Sequence, residues 1–198
     1  MRNKTVLVCF MLLFIAWAPM VHAQYETEVI REHYYKVKQR IAEMEQQAIP
    51  AEYYQVTVMK NLPGSGPHKE TANMYYTDRE DHEIWPSHCL ELVTSSYNYA
   101  TRKFYEEYLY QPNGDLAFMY VRTPDGIETN TEYEFRFYFK DGLQRVIVKQ
   151  REQGNGEFTT AYDGDEIPQP YLPSYYQYLN SANKFRHMFS TIDLASRE

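Results

Sequence analysis

The chain has 198 residues and a formal net charge of −7, with 20 Lys and Arg against 27 Asp and Glu. An acidic chain without a basic block is poorly matched to nucleic acid or to an anionic membrane surface, and both partners are set aside. Its 20 tyrosines are the compositional oddity, with doublets at 34–35, 53–54, 75–76 and 175–176.

Residues 1–23 read as a secretory signal peptide. Arg2 and Lys4 give a positive start, Val6 to Ala18 is apolar, and Val21 and Ala23 put small residues before Gln24. Cleavage is expected after Ala23, because the apolar run is shorter than the roughly 20 residues that span a bilayer. Removing Arg2 and Lys4 leaves 18 cations against 27 carboxylates in residues 24–198, a stretch sized for one globular domain. Cys9 leaves with the leader, so Cys89 has no intrachain disulfide partner, and no Asn-x-Ser/Thr acceptor survives. These features point to a bacterial periplasmic or secreted protein stabilised by packing.

Ile30, Tyr34, Val37, Ile41, Met44 and Ala48 recur at helical spacing and predict an amphipathic helix over 27–48. Thr27 is the expected N-cap, and Pro50 ends the segment. The period then changes to two: Tyr54, Val56 and Val58 read as a strand, 61–69 as a flexible loop and 71–77 as a weaker strand. Residues 78–88 are polar and read as loop. Strands are expected over 89–99 and 103–111, and Asn113-Gly114 signals a two-residue type I′ hairpin. That loop puts Tyr108 opposite Met119 and Leu109 opposite Phe118, with Phe104, Tyr108 and Tyr110 sharing a face with Ala117, Met119 and Val121.

Residues 131–151 are the clearest unit. Tyr133, Phe135, Phe137 and Phe139 alternate with polar residues, and Asp141-Gly142 marks a hairpin. A two-residue loop pairs Phe137 with Val146 and Phe135 with Val148; on the other face Glu134 meets Lys149 and Glu132 meets Arg151. A slip by one residue would bury those charges. A last short strand is expected over 157–162. Ser174 and Gln177 form a capping box before Tyr175, Tyr178, Ala182, Phe185, Phe189 and Ile192, which predict a closing helix.

The expected fold is α+β: an N-terminal amphipathic helix, a curved antiparallel sheet of about seven or eight strands (a meander or half-barrel), and a C-terminal helix packed on it. Nothing positive marks an enzyme. His82, Glu83 and His88 lie near Cys89 as a weak metal-ligand set that fits no established spacing. Cys89 lacks a neighbouring base on its own face, and Asp163, Asp165 and Glu166 read as a tight turn. No cofactor is expected. The favoured role is an exported, non-enzymatic domain that binds a small apolar or carbohydrate ligand, or a protein partner, through a tyrosine-rich sheet face or a helix-covered groove. Tyr105, Tyr120 and Tyr138 fall opposite the proposed core and are the contact residues expected there; a helix over that face would make them core instead. A hydrolase acting on an envelope polymer and an assembly protein without a small ligand are the alternatives.

Overall fold

The computed structural model describes residues 27–47, 52–78, 88–124 and 130–196. Helix α1 (27–46) precedes eight strands: β1 (Tyr53–Leu62), β2 (Gly66–Asp78), β3 (His88–Tyr99), β4 (Arg102–Tyr110), β5 (Leu116–Pro124), β6 (Thr131–Phe139), β7 (Leu143–Glu152) and β8 (Thr159–Gly164). A short 3₁₀ turn (Gln169–Tyr171) leads into α2 (Leu172–Ala195). Every strand pairs antiparallel with its neighbour in sequence, giving an open sheet in the order β1 to β8. The sheet is thus the meander of the two expected forms.

The two helices lie on opposite faces. Under α2, Met74, Val93, Tyr108, Met119, Val121, Phe135, Phe137, Val146 and Val148 meet Tyr178, Ala182, Phe185 and Phe189. The Tyr110 hydroxyl donates to the Ala182 carbonyl at 2.7 Å, fixing the helix by a buried polar contact. Under α1, Ile30, Val37 and Ile41 meet Leu92, Leu109, Phe118, Tyr138 and Ile147. Each fully buried large side chain contributes about 1.5–3 kcal/mol. Because both faces are covered, strand interiors such as 106–110 are buried at every position instead of every second one.

The aromatic strand pair follows its expected register: Phe137 opposes Val146, Phe135 opposes Val148, Glu134 opposes Lys149 and Glu132 opposes Arg151. Asp141 takes φ 52° and Gly142 φ 133°, so this dipeptide supplies the positive φ. A register shift at Phe139 pairs that residue with Leu143 and makes the loop three residues, 140–142, instead of the expected two. In the β4–β5 hairpin, Tyr108 opposes Met119 and Leu109 opposes Phe118, as expected. Its loop differs. Asn113 has no positive φ, the Gly114 amide donates to Gln111 at 2.8 Å, and Gly114 takes φ 85°. Pro112 presets φ for the first corner of a type I turn, and Gly114 is the left-handed residue that closes a three-residue loop. A register shift between Leu109 and Tyr110 then moves Ala117 from the expected core face to the α1 side. Gly114→Ala is expected to cost about 1 kcal/mol, because its φ is strained for a residue with Cβ. Urea denaturation midpoints measure that loss.

Other elements shift for local reasons. The loop expected over 61–69 is a tight hairpin, with Leu62 opposite Gly66 and the Ser65 amide donating to the Leu62 carbonyl at 3.1 Å. The weaker strand over 71–77 is 13 residues long because β1 and β3 pair with it on both sides. The last strand begins at Thr159 and not at 157. Thr27, the expected N-cap, is the first described residue of α1, has helical backbone and is fully buried. The capping box at Ser174 is not made: α2 starts at Leu172, where Pro173 suits the first turn, and Tyr171 occupies the cap position without a side-chain bond. Ala48, Pro50 and the leader fall outside the described residues. No described helix is long and apolar enough to cross a membrane.

Candidate ligand-binding site

On the α1 side, cross-strand register builds the surface row by row. Tyr105, Arg122, Glu134 and Lys149 form one row over β4–β7; Glu107, Tyr120, Arg136 and Ile147 form the next. Each tyrosine therefore stands directly opposite an arginine on β5 or β6: Tyr105 opposite Arg122, and Tyr120 opposite Arg136. The Tyr105 and Tyr120 rings meet edge to face at 6.3 Å, and the Arg136 guanidinium lies 5.8 Å from the Tyr120 ring centroid. Helix α1 seals the neighbouring end of this face, over Leu92, Leu109 and Phe118.

Glu107 anchors the helix to the sheet. It is 2% exposed, accepts hydrogen bonds from the Tyr34 and Tyr105 hydroxyls, and pairs with the Lys38 ammonium at 2.7 Å. Burial, reinforced by the Glu107 charge, pushes the Tyr34 and Tyr105 hydroxyls far up, so both stay protonated donors. The Tyr120 hydroxyl donates to Glu134 at 2.8 Å, and Arg136 pairs with the same carboxylate at 3.1 Å. Glu132 is clamped by Arg122 at 2.5 Å and Arg151 at 2.7 Å. Burial alone would raise the Glu132 carboxyl, but hydrogen bonds from the two guanidiniums outweigh it and hold the carboxyl below its ordinary range. Phe158 packs with both guanidinium groups, at 4.4 Å from Arg151 and 5.6 Å from Arg122. The arginines are thereby held in place before any ligand arrives.

Two clefts open on this face. The first, of about 300 Å³, lies between α1 and the sheet. Arg31, Tyr34 and Tyr35 line it from the helix; Phe118, Tyr120, Arg136 and Tyr138 line it from the strands. Arg31 Nε donates to the Tyr138 hydroxyl at 3.2 Å, and Tyr35 is 66% exposed at its mouth. The second, of about 460 Å³, is lined by Lys103, Phe104, Tyr105, Arg122 and Glu132 among others. The ring pair Tyr105–Tyr120 stands between the two, contributing one tyrosine to each.

The three tyrosines expected from the sequence thus occupy one face but differ in exposure. Tyr105 and Tyr120 are half-buried at the edge of α1, whereas Tyr138 is 2% exposed beneath it. Helix α1 lies over Tyr138, so its ring is core as well as cleft wall. His82 and Glu83 fall outside the described residues. His88 bonds the Asp193 carboxylate through Nδ1 and packs its ring, tilted, against Tyr76 at 4.4 Å, tying the end of α2 to the sheet. Among the described residues, no group of three or more His, Cys, Asp or Glu side chains is placed to hold a metal ion. Asp163 is bound to Arg145 at 2.8 Å and held low by that hydrogen bond. Cys89 Sγ lies 3.7 Å from the Pro112 carbonyl oxygen. Arg31, Tyr34, Tyr35 and Arg136 were not expected in a site. The only hint was the doublet 34–35, in which Tyr35 falls off the apolar stripe of its helix. No family model, curated protein or solved structure matches the chain, so its function is read from the chemistry of this face.

Proposed function

We propose that the protein is an exported binding domain for a carbohydrate ligand, taken up on the tyrosine–arginine face beside α1. The observation that carries this reading is the lining of the 300 Å³ cleft: four tyrosines, a phenylalanine and two arginines. Aromatic rings offer flat apolar faces to the C–H face of a sugar, while guanidinium N–H groups and tyrosine hydroxyls reach its oxygens. A purely apolar ligand would face the guanidinium N–H groups of Arg31 and Arg136 that are not already bound to Tyr138, Glu28 and Glu134, and would give them no acceptor. Hydrolysis is the weaker use of the site. It needs a carboxyl kept protonated as general acid, and Glu132 is held ionised by its two arginines.

The test is a saccharide titration followed by amide chemical shifts. Saturable shifts confined to α1 and β4–β6 are expected. Tyr35→Ala removes an exposed ring and is expected to weaken binding about tenfold, roughly 1.4 kcal/mol, with no change in melting temperature. Shifts confined to the α2 side, or no saturation with any saccharide, would sink the reading.

A further inference from the structure

We infer that the saccharide is anionic, carrying a carboxylate or a phosphate group; this rests on the carbohydrate reading above. The argument is one of charge placement. Strands β5, β6 and β7 carry five cations, Arg122, Arg136, Arg145, Lys149 and Arg151, and register puts all five on the α1 side. On the same face β4 adds Lys103, and four carboxylates answer these six cations: Glu107, Glu132, Glu134 and Asp163. A chain of net charge −7 therefore gathers an excess of positive charge on the sheet surface that also holds its aromatic clefts.

Folding alone does not call for that arrangement, since scattered cations would serve an acidic chain equally well against self-repulsion. The arginines are also set for recognition. Arg122 lines the larger cleft opposite Tyr105, and Arg136 lines the smaller cleft opposite Tyr120. Each pairing offers a ring for the sugar face and, one strand away, a planar guanidinium. Arg136 gives one N–H to Glu134, and a guanidinium carries five, so a carboxylate or phosphate is bound without breaking that ion pair. Phe158 and Glu132, the latter in the same cleft lining, hold Arg122 in place, so little side-chain entropy is lost when an anion docks.

The experiment is a titration of the purified protein with glucuronic acid, glucose 6-phosphate and glucose, each at low and high salt. At least one anion is expected to bind about tenfold or more tightly than glucose at low salt, and the gap is expected to shrink at high salt. Comparison of glucuronate with the phosphate ester tells which anion the site prefers. Arg136→Gln is expected to weaken binding of the favoured anion about tenfold more than it weakens binding of glucose, and so to remove the preference. Should that variant misfold, the salt dependence of the parent protein decides the question alone. Glucose binding as tightly as both anions would overturn the charge assignment and leave the carbohydrate reading standing. Failure of all three sugars would count against the carbohydrate reading itself.

Discussion

Glu106→Gln is expected to leave the protein nearly unchanged at acid pH and to make it more stable than the parent at alkaline pH. Glu106 is 2% exposed on the α2 side, where it accepts hydrogen bonds from the Tyr97 hydroxyl at 2.8 Å and the Tyr108 hydroxyl at 2.6 Å. Glu70 on β2 and Lys184 on α2 are the charged groups that act on it, in opposite senses, and those two pair with each other at 3.2 Å. Burial therefore dominates and raises the Glu106 carboxyl above its ordinary range, against the pull of the two tyrosine hydroxyls. The sign follows from linkage. Above the ordinary glutamate pKa of about 4.3 the unfolded chain releases this proton while the folded chain keeps it, so stability falls as pH rises toward the folded value. Glutamine holds the neutral form at every pH and removes that slope. Ser95 stands opposite Glu106 in register, fully buried, and its hydroxyl has no hydrogen-bond partner. A protonated carboxyl, or a glutamine amide, is the donor that would serve it. Glu106→Leu is the contrasting variant. It removes the acceptor of one buried hydroxyl, Tyr108, and one half-buried hydroxyl, Tyr97, and should cost about 1–3 kcal/mol in all at every pH. Thermal denaturation of parent and both variants from pH 4 to 9 separates these outcomes. A parent-minus-Gln difference that does not change with pH would show that Glu106 is ionised throughout.

That glutamate also marks where the sequence stopped being readable. Element type was legible wherever one periodicity ruled. The 3.6-residue stripes of both helices and the alternation of residues 133–139 predicted the elements, and Asp141-Gly142 predicted a register that the structure keeps. Residues 104–110 were legible as a strand, but their adjacent glutamates gave no sign that both are buried. Period-two reasoning assumes one wet face. Here α1 and α2 cover opposite faces, so Glu106 faces one core and Glu107 the other. The same gap hid the site. Tyr105 and Tyr120 could be placed on a common face from their parity alone, whereas Arg31, Tyr34 and Tyr35 reach that face only because α1 docks there. Helix docking depends on non-local contacts, and sequence spacing carries no record of them. Turn chemistry failed in a smaller way at Asn113-Gly114, where the preceding Pro112 selected a type I turn over the type I′ turn that the dipeptide alone suggests.

Glu107→Ala should be the most damaging single change on the ligand-binding side, at about 2–4 kcal/mol, and it should act by releasing α1. The apolar seam of α1 is narrow: Ile30, Val37 and Ile41 are its buried side chains, against Tyr178, Ala182, Phe185 and Phe189 for α2. Polar contacts make up the difference, with Tyr34 and Lys38 bound to Glu107, Arg40 to Glu91 and Arg31 to Tyr138. Truncating Glu107 leaves two half-buried hydroxyls and an ammonium without their acceptor. Hydrogen bonds to a charged group are worth about 1.5–3 kcal/mol, and Lys38 recovers part of its loss by turning to water because it is 38% exposed. Tyr34→Phe removes one donor and should cost about 1–2 kcal/mol. Because both changes act on one contact, the double variant should cost less than the two single losses added together. Amide hydrogen exchange supplies the readout that a general loss of stability would not move. Protection should drop across 27–46 while the β3–β7 core under α2 keeps its own. A uniform drop across both layers would instead make α1 an integral part of the folding unit. Selective release carries a consequence for binding, since Arg31, Tyr34 and Tyr35 would leave the cleft with the helix while Tyr120 and Arg136 stayed on the sheet. Saccharide affinity should then fall further in Glu107→Ala than in Tyr35→Ala.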